Sequence, residues 1–237
     1  MQEALGIIIP VYNEGGNISN TLTAIQRQVH TDHVIYIIYD FDEDNTLPVV
    51  QKLKQERIRI ELLKNTVCGV ASAIKTGLRK AEHEYLLVTM ADMSDDYSVV
   101  DKMCEMMHGG SDLVCGSRYM KGGRQIGGPA FKKFLSRTAG VSLKYLAGTP
   151  VHDITNSFKL YRKSMLDKIK IESENGFEIG MEIAVKAHFS GYKVGEIPCT
   201  WTDRTDGQSR FRLFKWMPKY LRWYFFALKK KLHIPVK

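Results

Sequence analysis

The sequence predicts an α/β fold: a mainly parallel central sheet, doubly wound, with helices on both flanks. Three observations carry the prediction. Short β-rich apolar runs alternate with helical stretches from residue 4 to residue 116, the βαβα signature. The early runs end in acidic or turn residues, and the carboxyl ends of such strands are where open parallel sheets bind ligands. A chain of 237 residues with 44% hydrophobic and 25% charged side chains is enough for one large globular domain with its own core.

Taken in order, strands are expected at Ala4–Pro10, Val34–Tyr39, Arg57–Leu63, Tyr85–Met90 and Leu113–Gly116. Helices are expected between them, at about Asn17–Gln28, Pro48–Gln55, Val70–Ala81 and Val99–Met107. The glycine-rich segment YMKGGRQIGGP follows and reads as a mobile flap, because glycine opens backbone conformations closed to other residues. A helix near Phe131–Leu146, a strand near Ser157–Tyr161, a helix near Glu178–Phe189 and a strand near Lys193–Pro198 complete the body. No internal repeat or low-complexity linker interrupts it.

Three strand ends carry acids. The first runs into Pro10-Val11-Tyr12-Asn13-Glu14, the second into Asp40-Phe41-Asp42-Glu43-Asp44-Asn45-Thr46, the fourth into Met90-Ala91-Asp92-Met93-Ser94-Asp95-Asp96. Singly, Asp42, Asp44, Asp95 and Asp96 are ordinary helix caps or turn formers. Gathered on one sheet edge, such carboxylates hold a hard cation such as Mg²⁺ or Mn²⁺, or accept hydrogen bonds from a ribose or base.

Several function classes are disfavoured. GGRQIGG lacks the Gly-Lys-Ser/Thr ending of a phosphate loop, and no G-x-G-x-x-G follows the first strand, against a kinase, an ATPase or a dinucleotide dehydrogenase. Cys68, Cys104, Cys115 and Cys199 have no zinc or disulfide spacing and fit a reducing compartment, and the histidines form no metal-spacing cluster. The segment MQEALGIIIPVYNE does not read as a signal peptide, and no apolar run is long enough to span a membrane.

The net charge of +8 is concentrated at the C-terminus: Asp206 is the last acid, and Arg210, Arg212, Lys215, Lys219, Arg222, Lys229, Lys230, Lys231 and Lys237 follow. In the same stretch Phe214, Met217, Leu221, Phe225, Leu228 and Leu232 recur every three or four positions. A helix from about Met217 to Lys231 is expected, with Pro218 in its first turn. A basic, aromatic, amphipathic helix of this kind lies on an anionic membrane surface. No nucleic-acid role is expected, because it would leave the acidic strand ends unexplained.

The Pro-Val-Tyr-Asn-Glu, the acidic turn after the second strand and the Asp after the fourth together resemble the family 2 glycosyltransferases with a GT-A fold. The segments NTVCGVASAIKTGL, DLVCGSRYMKGG, VHDITNSFKLYRKSML and GYKVGEIPCTWTDRTDGQSRF extend the resemblance over residues 4 to 212, and within the family the chain is most similar to the dolichol-phosphate mannosyltransferase-like branch. The resemblance implies a GT-A domain over 1–210, with a nucleotide-sugar half (about 1–118), an acceptor half (about 119–210) and the basic tail 211–237. It implies a metal-dependent, inverting transfer of a sugar from a GDP-mannose-like or UDP-sugar donor to a polyprenyl phosphate. The chain would then be peripheral on the cytoplasmic face of a membrane, helped by a possible membrane-protein partner. Pro10, Tyr12, Glu14, Ile38, Asp40, Ala91, Asp92, Arg118, Arg204 and Arg210 would bind the donor, and Asp92 would ligate Mg²⁺ or Mn²⁺ between its phosphates.

Two departures bear on donor and cation. Met90 stands where the family has the first Asp of Asp-x-Asp, so Asp95 or Asp96 is a candidate to serve instead. Arg210 replaces a Lys. Asp92, Asp153 and Glu182 are the catalytic candidates, the last two as bases should the acceptor be a sugar hydroxyl; a phosphate monoester needs no strong base. The alternatives to polyprenyl-phosphate transfer are extension of a lipid-linked glycan through a sugar hydroxyl, or a catalytically silent nucleotide-sugar-binding subunit.

Overall fold

The computed structural model describes residues 5–54, 58–174, 176–203 and 213–234. Its first strand, β1 (Leu5–Pro10), lies inside the main sheet and is buried from Leu5 to Ile9 because both of its faces are covered. Successive side chains alternate between the two faces. Leu5, Ile7 and Ile9 join a core layer with Leu22, Val100 and Met103, while Ile8 joins the opposite layer with Ile74, Ile183 and Trp223.

The elements follow in order: α1 (Ile18–Gln28), β2 (His33–Tyr39), α2 (Thr46–Lys54), β3 (Ile60–Lys64), α3 (Val70–Lys80), β4 (Tyr85–Val88), α4 (Val100–His108) and β5 (Leu113–Ser117). Then come β6 (Arg124–Ile126), α5 (Ala130–Ala147), β7 (Lys159–Arg162), the single-turn α6 (Lys163–Leu166), α7 (Ile179–Phe189), β8 (Val194–Pro198), β9 (Thr200–Thr202) and α8 (Leu213–Lys231). The main sheet has the order β3-β2-β1-β4-β7-β5-β8. Strand β1 pairs in parallel with both β2 and β4, so the chain reverses its winding direction between β1 and β4 and opens a crevice at their carboxyl ends.

Strand β7 is antiparallel to both β4 and β5. Its register sets Lys159 opposite Val88 and Cys115, so the segment entering β7 lies at the same edge as the ends of β4 and β5. Residues around 92, 118 and 155 are thereby brought to the same edge from distant parts of the sequence.

Three sequence expectations need correction. The glycine-rich segment is in part a strand: β6 pairs in parallel with β9, and the Thr202 N–H donates to the Ser94 carbonyl at 3.0 Å, tying this small sheet to the β4 end. Strands of three residues give no periodicity to read. Helix α8 begins before Met217, which puts Pro218 inside it and not in its first turn. The lost backbone hydrogen bond is offset by packing, since Trp223 and Ala227 are buried in the core layer shared with α7. One face of the tail helix is thus an ordinary domain contact, while Leu221, Phe225 and Leu232 remain exposed. Among the described residues no helix is long and apolar enough to cross a membrane.

Candidate active site

The three acidic strand ends do converge. A cavity of about 1420 Å³ opens at the carboxyl edge of the sheet, and Pro10, Tyr12, Glu14, Asp40, Ala91, Asp92 and Arg118 all line it. The first loop is set by Asn13, in the left-handed region at φ 55°, which asparagine tolerates better than most residues. Its N–H donates to both carboxylate oxygens of buried Asp44 (3.1 and 3.0 Å), and the Glu14 N–H donates to Thr46 Oγ1 at 2.9 Å. Asp44 also accepts the Thr46 N–H at 2.9 Å, the local capping role that aspartate often takes. Asp40 accepts from Asn65 Nδ2 at 2.8 Å and from the Gly69 N–H at 2.9 Å, joining the β2 end to the start of α3.

Ile38, expected among the donor-binding residues, has its side chain in the core and does not line the cavity. Its side chain is fully buried and packs over Gly77 of α3, where an added Cβ would stand 2.5 Å from Ile8 Cγ2 and 3.3 Å from Ile38 Cδ1. Only its carbonyl touches the site loop, accepting the Val11 N–H at 2.9 Å.

The loop after β4 is the most polar wall. Thr21 Oγ1 donates to the Ala91 carbonyl at 3.0 Å and anchors the loop to α1. Asp92 Oδ1 accepts the Ser94 N–H at 3.2 Å across Met93, whose φ of 60° is an uncommon left-handed value for a residue of that size. Ser94 is 3% exposed, yet its hydroxyl has no hydrogen-bond partner. Burial pushes the Asp95 carboxyl up to about 7; the Thr89 hydroxyl opposes the rise and the Asp92 charge adds to it. An orphaned hydroxyl and two carboxylates lining one cavity are hard oxygen donors of the kind that suits Mg²⁺ or Mn²⁺, ions that take few protein ligands and complete their shell with substrate phosphate.

Two catalytic candidates do not present a free carboxylate to the cavity. Asp153 is fully buried and accepts from Arg118 Nε at 2.6 Å, Arg118 Nη2 at 3.0 Å and the Arg118 N–H at 3.1 Å. Burial alone would raise its pKa, but the Arg118 guanidinium and its hydrogen bonds hold it below the ordinary carboxylate value. Asp153 thus holds Arg118 in place. Its loop is seated against α5 at Gly140, where a Cβ would stand 2.2 Å from the His152 carbonyl oxygen.

Glu182, expected on a helix face toward the cleft, is fully buried and does not line the cavity. It accepts the N–H groups of Glu172 (2.6 Å) and Ser173 (2.7 Å) and pairs with Lys186 at 2.7 Å, one turn on. Its role is to fasten the segment before α7. Arg204 and Arg210, expected at the donor phosphates, lie outside the described residues.

The cavity also has walls that sequence reasoning did not find. Lys132 of α5 and Lys219 of α8 add positive charge to the lining, and Trp201 of β9 and Asp203 just after it extend that lining. Between α5, α7 and α8 the lining turns apolar: Leu135, Ala139, Phe177, Met181, Met217 and Tyr224. The α5 periodicity was legible, but nothing local said that α5 and α8 would meet; Ser142 Oγ lies 2.9 Å from the Tyr224 hydroxyl across that contact.

Comparison with known proteins places this geometry in a family. The family model described as glycosyl transferase family 2 matches residues 6–170. The chain is 30% identical over 223 residues to a dolichol-phosphate mannosyltransferase of Pyrococcus furiosus, covering 92% of this chain and 62% of that protein. It is 27% identical over 213 residues to a polyprenol monophosphomannose synthase of Mycolicibacterium smegmatis, covering 86% and 79%. The chain therefore spans less than two thirds of the Pyrococcus relative. Among solved structures, glucosyl-3-phosphoglycerate synthase from Mycobacterium tuberculosis with Mn²⁺, UDP and glucosyl-3-phosphoglycerate superposes with a TM-score of 0.69 at 12% identity, over 99% of this chain and 82% of that one. The same enzyme with Mg²⁺ and UDP gives 0.68 at 12% identity, over 99% and 81%. At that identity the likeness speaks for the fold, which is of the GT-A type. With its family match running from β1 through the Asp92 loop and the Arg118–Asp153 pair, the chain belongs to glycosyl transferase family 2.

Proposed function

We propose that the chain transfers a sugar from a nucleotide-sugar donor to a membrane polyprenyl phosphate, with inversion at the anomeric carbon. The observation that carries the reading is the two-part lining of one cavity. Its carboxylates and cations suit a nucleotide diphosphate, and its apolar end between α5 and α8 suits a hydrocarbon chain. About 1420 Å³ exceeds the roughly 300–1,000 Å³ of a pocket for one small ligand. The two relatives named for dolichol-phosphate and polyprenol mannosyl transfer support the same acceptor class.

In this reading Tyr12, Glu14 and Asp40 hold the nucleoside, while Asp92 and Arg118 face the diphosphate. An oxygen of the acceptor phosphate forms the bond to the anomeric carbon as the bond from that carbon to the diphosphate breaks, and the nucleoside diphosphate leaves with the electron pair. No proton has to move. That agrees with the state of Asp153 and Glu182, whose carboxylates are engaged by Arg118 and by backbone N–H groups, and it favours a phosphate over a sugar hydroxyl. Arg118, fixed by Asp153, stabilises the charge growing on the leaving group without reorganising. A divalent cation held at Asp92 would neutralise part of that charge.

The membrane contact extends beyond the tail. Phe131 and Phe134 of α5 are exposed together with Leu221 and Phe225 of α8, and Arg222, Lys229 and Lys230 are exposed on the same helix. Such a face suits the cytoplasmic leaflet, where anionic lipid attracts each basic side chain by about 1 kcal/mol. A membrane-protein partner would dock on this same side. The test is transfer itself: purified chain, GDP- and UDP-sugars, Mg²⁺ or Mn²⁺, and vesicles carrying polyprenyl phosphate or a lipid-linked sugar. Glycosylated polyprenyl phosphate from one nucleotide family is the expected product. Transfer only to the lipid-linked sugar would replace this reading with glycan extension.

A further inference from the structure

Met90 leaves the end of β4 without the first carboxylate of the expected Asp-x-Asp, and the structure separates the two acids that could serve in its place. Asp96 is occupied elsewhere: Oδ1 accepts from the Ser98 N–H and hydroxyl as the cap of the 3-10 turn at Tyr97–Val99, and Oδ2 accepts the Thr200 N–H at 3.0 Å. Asp95 folds back over the strand end. Its Oδ2 accepts from Thr89 Oγ1 at 2.7 Å and from the Met90 N–H at 3.3 Å, and the residue lines the cavity beside Asp92. Ser94, whose buried hydroxyl has no hydrogen-bond partner, lines the same cavity.

We infer that Asp95 is the second carboxylate of the cation site, taking over from the acid that position 90 lacks, with the Ser94 hydroxyl as a further oxygen donor beside Asp92. The inference rests on the reading that a divalent cation serves the donor diphosphate. Among the described residues no three His, Cys, Asp or Glu side chains form a ready-made cage. Two carboxylates and one hydroxyl would leave part of the cation's shell to phosphate oxygens and water. Cation binding by this chain should therefore depend on nucleotide.

The experiment is a Mn²⁺ titration of the full chain, read by loss of the free-Mn²⁺ electron paramagnetic resonance signal, with GDP, with UDP and with no nucleotide. Wild type should bind tightly with one of the two diphosphates and weakly without either. Asp95→Asn should weaken that binding at least about tenfold, a loss on the scale of disturbed metal shells, and Ser94→Ala should weaken it less. The Asn side chain can still accept from Thr89 and the Met90 N–H, so the fold is kept, which a circular dichroism melt checks. Asp96→Asn should bind like wild type. Met90→Asp in the Asp95→Asn background should recover most of the loss, which an indirect structural effect of position 95 would not allow. Undiminished Mn²⁺ binding by Asp95→Asn overturns the assignment and leaves the cation reading standing. Failure of wild type to bind Mn²⁺ with either diphosphate overturns the cation reading itself.

Discussion

Two groups of candidate acids, those at the ends of β1, β2 and β4 that line the cavity and the pair Asp153 and Glu182, look alike in sequence and end in different surroundings. Glu14, Asp40, Asp92 and Asp95 stand at strand ends and line a cavity. Asp153 and Glu182 are fully buried, and their oxygens accept from Arg118, Lys186 and backbone N–H groups. A carboxylate at the carboxyl edge of a parallel sheet meets open space, because strands stop there and helices begin on either side. One on a loop or helix packed against the sheet must have its charge satisfied within the protein. The first kind lines the space a substrate would occupy, even where it also accepts from Asn65, Gly69 or Thr89, and the second holds other groups in place.

The largest effect that could break this distinction is at Asp153. Asp153→Asn leaves Arg118 short of its counter-charge in a buried setting, and a loss of about 3–5 kcal/mol of stability at neutral pH is expected by chemical denaturation. The sign with pH follows from the depressed carboxyl: the wild-type contribution is fully present above the ordinary value of 3.8 and fades as the pH falls below it. Asp92→Asn should leave stability nearly unchanged and lower turnover by about 10²–10³, the scale of losing one major stabiliser of transition-state charge. Glu182→Gln should do the reverse, costing about 1–3 kcal/mol through the Glu172 and Ser173 N–H groups while kcat stays at the wild-type level. Smaller still, Phe134→Ser or Phe225→Ser should each weaken sedimentation with anionic vesicles about fivefold, leaving donor binding intact, because only part of each ring's burial of about 1.5–3 kcal/mol is realised at an interface.

Much of this was legible beforehand. Apolar runs such as Leu5–Pro10 and His33–Tyr39 gave the parallel sheet, and their acidic ends pointed to one edge. Local pattern could not reveal that β7 would enter antiparallel between β4 and β5, which is what carries Thr155 and Asn156 to the cavity. Nor could it reveal orientation. Ile38 lies two residues from Asp40 in the same strand-and-turn motif, yet it is still inside β2, where its side chain packs over Gly77 in the core, while Asp40 lies just past the strand end. Glu182 and Lys186 are spaced as a helical ion pair, and the structure gives them that role, with backbone N–H groups as additional partners that no spacing rule contains. The stripe along α8 signalled an apolar face without saying how much of it α7 and the core would cover.

The union of a charged donor end with an apolar acceptor end is the central claim, and Ala139 on the apolar wall tests it most directly. Ala139→Trp fills that end with an indole while every cavity-lining acid stays in place. The measurement is sugar transfer to polyprenyl phosphate in vesicles, set beside nucleotide-sugar affinity by calorimetry on the same preparation. Transfer reduced at least about tenfold with donor affinity unchanged is the result the two-ended cavity requires, since an indole displaces substrate hydrocarbon worth roughly 0.8 kcal/mol per buried methylene. Transfer at the wild-type rate, or donor affinity lost in equal measure, would contradict it.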